Sequence, residues 1–218
     1  MSKEGGVGSN RIYALIAIFI IVIIILAIVF STSNLTPAYV PDDFLDGGWS
    51  EDLMERAEGS QLFGLEKWCS LTYKIDDRYP AYLTITTLKT LIMMGEKELK
   101  ERTMETVEKA LEQGIKIDNK SEITGERVLY NTHKTIFIMY DGNDTTKSPP
   151  ERIKIIGEVW NCGVSGKSVI CIGFAQITDY AHDNPMINTT NWKKIIRDEI
   201  GFTDFVGKDG LIYNVICH

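Results

Sequence analysis

The strongest pattern in this chain is a run without charge. Residues 12–30, from Ile12 to Phe30, hold no charged residue, no proline and no glycine, and isoleucine dominates them. As a helix the run extends about 28 Å, close to the hydrocarbon thickness of a bilayer. It is longer than the roughly 7–15 apolar residues of a cleaved signal peptide, and Ser31-Thr32-Ser33 after it lacks an Ala-x-Ala site. The pattern predicts a retained transmembrane helix, a signal-anchor, with residues 1–11 as a cytoplasmic tail.

After residue 30 the pattern changes to short alternations separated by breakers. Residues 31–49 read as a linker, with Pro37, Pro41 and Gly47-Gly48. Ser50 is an expected N-cap, with Glu51 and Asp52 in the first turn and Leu53, Met54 and Ala57 as a short apolar stripe ending near Gly59. Cys69, Leu71, Tyr73 and Ile75 alternate with polar residues, which predicts a half-buried strand with Cys69 on the core side. Ala81 to Leu88 is a second strand. Glu96 to Gln113 is the clearest helix, with Leu99, Thr103, Val107, Ala110 and Leu111 on one face and Gly114 closing it. Its charges read as a solvated face laced by i,i+4 pairs.

Further along, Lys134 to Asp141 predicts a strand covered on both sides, and Ile153 to Cys162 with Val169 to Thr178 a pair of strands around a glycine-rich loop. A last helix is expected from about Asn191 to Ile200, with Trp192, Ile195, Ile196 and Ile200 on one face, then a strand from Leu211 to Cys217. The expected fold class is α+β. A single N-terminal transmembrane helix is followed by one extracytoplasmic domain, residues 50–218, with a mostly antiparallel sheet and about three helices.

Charge supplies orientation. Lys3 and Arg11 precede the span; no basic residue follows until Arg56, while Asp42, Asp43, Asp46, Glu51 and Asp52 crowd the far side. Positive residues stay inside, so the larger part is expected outside the cell membrane. The net charge of −7 argues against nucleic acid as a partner. The sequons at Asn34, Asn119, Asn143 and Asn188 all fall on the proposed outside and are candidate glycosylation sites. Cys69, Cys162, Cys171 and Cys217 also follow the span, and an even number in an exported domain suggests disulfides. Pairing Cys162 with Cys171 sets Trp160 opposite Gly173 and Ile156 opposite Ile177, a sensible cross-strand match that brings two Cβ atoms within reach. Cys69 with Cys217 is then left.

Candidate chemistry is sparse. Gly166-Lys167-Ser168 has Asn161 where a phosphate loop needs its first glycine, and it joins two strands. Counted from Asp141, a calcium loop would need glycine and glutamate where Thr146 and Arg152 stand. His133, His182 and His218 are scattered, with no zinc spacing, and Cys217 beside His218 is not a dyad. Ser165 has no identifiable base. Glu158 is the odd residue of its strand; in the expected register it faces Ala175 on the side of Trp160, where a buried carboxylate would mark a functional site, and the reading preferred is one on an exposed sheet face or paired with a lysine. The four tryptophans read as core or rim residues. No cofactor is implied. The expected role is a binding or structural domain in the cell envelope, with the bilayer, through residues 12–30, and another envelope protein as partners. The alternatives are a subunit of a surface filament or sensor complex and an exported hydrolase.

Overall fold

The computed structural model describes residues 35–111, 114–180, 186–196 and 210–218. Among the described residues, eight strands form one sheet in which every pairing is antiparallel. They are β1 (Ser50–Glu51), β2 (Ala57–Gln61), β3 (Glu66–Ile75), β4 (Ala81–Thr90), β5 (Ile115–Val128), β6 (Lys134–Asp144), β7 (Glu151–Cys162) and β8 (Lys167–Gln176). Two helices are described, α1 (Glu96–Leu111) and α2 (Thr190–Ile196). The spatial order is β1-β3-β4-β8-β7-β6-β5, with β2 also on the outer edge of β3. Strands β5 to β8 thus make one meander and β3–β4 a hairpin, and β8 joins them by pairing with β4.

Each face of the sheet has its own cover. Alternation along β3, β4, β7 and β8 sends Leu71, Tyr73, Leu83, Ile85, Trp160, Val169 and Cys171 to one face. That face is covered by Ala38, Val40 and Trp49, by α2 through Trp192, Ile195 and Ile196, and by Leu211, Ile212 and Val215. The opposite face carries α1: Leu99 packs with Leu88, Val159 and Ile170, and Val107 with Ile153 and Ile155. Arg102 leaves the exposed side of α1 and donates to both carboxylate oxygens of buried Glu66 at 2.8 and 3.2 Å, tying helix to sheet.

Gly157 lets α1 sit close. A Cβ there would lie 2.5 Å from Thr103 Cγ2 and 3.4 Å from Ile138 Cγ2. Thr103 is fixed by its hydroxyl, which donates to the Leu99 carbonyl at 2.8 Å. Gly157→Ala should therefore destabilise the fold by about 1–3 kcal/mol, the usual range for overpacking. Urea unfolding measures it, and Thr103→Ser, which removes the obstructing methyl, should restore part of the loss.

Several expectations need correction. The described residues form a mostly antiparallel sheet with two helices, not three. The segment expected as a helix from Ser50 is β1 and a turn: Ser50 and Glu51 pair with Lys74 and Tyr73, and the Asp52 amide donates to the Thr72 carbonyl. Leu53 and Met54 have no surface to pack on and are exposed, so the stripe cannot hold a helix against the core. The expected last strand is a 3-10 turn (Ile212–Asn214) and an isolated bridge between Tyr39 and Ile216. The long edge strand β5 was not expected; its charged residues alternate with few apolar ones, and a register shift between Asp118 and Ile123 breaks the pattern.

No helix among the described residues is long and apolar enough to cross a membrane, so the transmembrane helix finds no counterpart there. The predicted span from Ile12 to Phe30 lies outside the described residues, as do Asn34 and the Ile200 end of the last predicted helix.

Candidate metal centre

The turn between β7 and β8 is tighter than the sequence suggests. Residues 163–166 close it: Gly166, at φ +63, donates its amide to the Cys162 carbonyl at 2.9 Å. The strands therefore continue to Cys162 opposite Lys167, with Trp160 opposite Val169 and Glu158 opposite Cys171. The expected Cys162–Cys171 register is wrong, and the two thiols stand four positions apart on neighbouring strands. All four cysteines are free and buried, so neither that disulfide nor Cys69–Cys217 is formed.

Cys162 instead meets residues from far along the chain. The loop between β5 and β6 holds His133 in place. Its Leu129 amide donates to the His133 carbonyl at 3.0 Å, and the Asn131 side-chain carbonyl accepts from the His133 amide at 3.3 Å. Thr132, just before, stands at φ +67, a left-handed conformation unusual for a β-branched residue. The same loop grips the segment 210–218. The Tyr130 amide donates to the Tyr213 carbonyl at 3.3 Å, and Asn131 Nδ2 to the Val215 carbonyl at 2.9 Å. Tyr39 and Ile216 exchange two backbone hydrogen bonds at 2.9 Å. These contacts deliver Cys217 and His218 to the end of β7.

The result is a cluster of His133, Cys162, Cys217 and His218 whose ligand atoms all lie within 4.8 Å of one another. Cys217 Sγ is 3.2 Å from His133 Nε2 and 3.8 Å from His218 Nδ1, and Cys162 Sγ is 3.6 Å from His218 Nδ1. Zinc bonds of about 2.3 Å to sulfur and about 2.0–2.1 Å to nitrogen give tetrahedral S···N edges of roughly 3.5 Å. The three edges bracket that value. The imidazole rings meet edge to face with centroids 5.6 Å apart, so the two nitrogens approach without the rings colliding. Both sulfurs are buried, His133 is half-buried and His218 is exposed.

The electrostatics fit a pair of sulfurs that share charge. At Cys162, burial pushes the thiol up, but the neighbouring Ser165, the Cys217 thiol and His218 outweigh it and bring it down to about 7. Cys217 is pushed up to about 12, first by burial and then by its bond to the Cys162 sulfur. Burial, and then the neighbouring His218, holds His133 below the usual histidine value, which favours the neutral imidazole that ligates metals.

No protein-family model, no curated protein and no solved structure matches the chain. Its function has to be read from the residues themselves.

The other candidate residues lie apart from this cluster. Cys171 is pushed well up by burial and then by the Glu158 charge, and Cys69 is raised chiefly by burial; both are core thiols. Glu158 is fully buried and accepts from Arg127 Nε at 2.7 Å and Nη2 at 2.5 Å, and from the Thr135 hydroxyl at 2.5 Å. Its carboxylate is spent on the sheet, but in the core and on an arginine, where an exposed face or a lysine partner is expected. Asn119 and Asn143 are exposed on β5 and β6. Asn188 is half-buried, and its side chain accepts from the Thr190 amide at the start of α2. His182 lies outside the described residues. A groove of about 370 Å³ opens on the α1 side, lined by Glu96, Leu99, Glu126, Lys134 and Asn161 among others, and includes none of the four cluster residues.

Proposed function

We propose that this protein binds one thiophilic divalent cation of the zinc class through His133, Cys162, Cys217 and His218, and that the ion is structural. One observation carries the reading: four thiol and imidazole ligand atoms from three separate segments converge within 4.8 Å of one another. Two sulfurs and two imidazoles suit a borderline-soft ion and do not suit magnesium or calcium, which take oxygen ligands. Four protein ligands complete a tetrahedron, whereas catalytic zinc keeps a position open for water. The ion would fasten the segment 210–218 and the β5–β6 loop to the end of β7. The domain's work then falls to its surfaces, a binding or structural role rather than hydrolysis.

The full-length protein, purified under reducing conditions, should carry about one zinc per chain by elemental analysis. Cobalt substitution should give the sulfur-to-metal charge-transfer band of a thiolate site. Metal-free protein that takes up neither ion overturns the reading. The affinity should also depend on pH with a definite sign. Thiols and imidazoles must lose their protons to bind, so zinc affinity should fall as pH drops from 8 towards 5. Chelator competition across that range measures it; a flat profile counts against thiolate and imidazole ligands.

A further inference from the structure

Two buried donors at this centre have no partner. Trp160 stands on the same face of β7 as Cys162, two residues before it, and is only 2 % exposed. Its Nε1–H meets no hydrogen-bond acceptor at full geometry. The Ser165 hydroxyl, in the turn that follows Cys162, is the other buried side-chain group in that condition among the described residues. Buried polar groups are satisfied in the great majority of cases, so two orphans in one place ask for a common cause.

Both orphans flank Cys162 in the chain, Trp160 two residues before it on the same face of β7 and Ser165 three residues after it in the turn. An indole can only donate, and a neutral thiol is a weak acceptor. A metal-bound thiolate carries charge and accepts far more strongly. Ionised, metal-bound sulfurs beside them would give both donors a charged acceptor. Lys167 stands beside them, its ammonium donating to the Cys217 carbonyl at 3.4 Å. The local charge thus also favours ionised sulfur.

We propose that Trp160 and Ser165 are positioning residues of the metal centre, donors to its thiolates that orient the sulfurs towards the ion. The inference rests on the zinc-class reading above. Such outer-shell donors change metal affinity by roughly 10- to 100-fold.

The test uses full-length wild type, Trp160→Phe and Ser165→Ala, with cobalt as the probe and zinc in chelator competition. All three proteins should show the same visible bands, because the four ligands are retained. Each variant should shift the sulfur-to-cobalt charge-transfer band to lower energy, since a thiolate that loses a donor holds its electrons less tightly. Each should bind zinc about 10-fold more weakly or worse. Metal-free Trp160→Phe should melt no lower than metal-free wild type, because the lost N–H has no partner there. An unmoved band with unchanged affinity in both variants overturns the proposal. An equal loss of melting temperature with and without metal assigns Trp160 to packing alone and also overturns it for that residue. Ser165→Ala lies in a turn, so its band and affinity decide the matter even if the tryptophan variant fails to fold. Absence of the charge-transfer band in wild type removes the centre itself, an outcome distinct from a normal band that the variants leave in place.

Discussion

Cys217→Ser should lose the bound zinc and melt well below the zinc-loaded wild type, at the temperature of the chelated wild type. Cys217 Sγ lies 3.2 Å from His133 Nε2, and it sits on a segment whose regular structure is a single 3-10 turn. An ion that binds only the folded form stabilises it by about 4 kcal/mol when its free concentration is 1,000 times its dissociation constant. For a domain of this size each kcal/mol moves the midpoint by roughly 2–4 °C, so the shift should be on the order of 8–16 °C. Differential scanning of wild type and variant, each with and without chelator, measures it. The variant should be indifferent to chelator. Wild type that melts at the same temperature in both conditions would rule out a structural ion.

Glu158→Ala should unfold at much lower urea than wild type. The carboxylate is fully buried, and the Arg127 side chain that grips it is only 9 % exposed. Breaking such a pair by removing one partner leaves an uncompensated charge and typically costs about 3–5 kcal/mol. Thr135 loses its acceptor as well. Glu158→Leu combined with Arg127→Met should recover a large part of the loss, since apolar replacements of buried pairs are often neutral. A single variant within about 1 kcal/mol of wild type would show that water or another group reaches the guanidinium.

Much of the sheet is legible in local pattern. The alternation of Cys69, Leu71, Tyr73 and Ile75 names the buried side of β3, and Leu99, Thr103 and Val107 name the buried stripe of α1. The β7–β8 register is misread by an even number of residues, so each side chain keeps its face while every cross-strand partner changes. That is why Trp160 and Glu158 fall on the expected side and the disulfide does not survive. What sets the true register is a single left-handed Gly166, which a glycine-rich stretch does not single out. The metal centre is illegible for a different reason. Its ligands come from a loop, a strand end and a coil far apart in sequence, so no local spacing marks them. The adjacency of Cys217 and His218 is the only trace, and it gains meaning only once the β5–β6 loop lays that segment beside Cys162.

The place of β8 has a kinetic consequence. It lies between β4 and β7, so the hairpin made early in the chain has no neighbour on that side until a strand some eighty residues later arrives. Loop closure of that length must precede the reward of pairing, which slows assembly. A chain made from its N-terminus would wait with the flank of β4 bare, and that flank is where a second copy or a chaperone would meet it first.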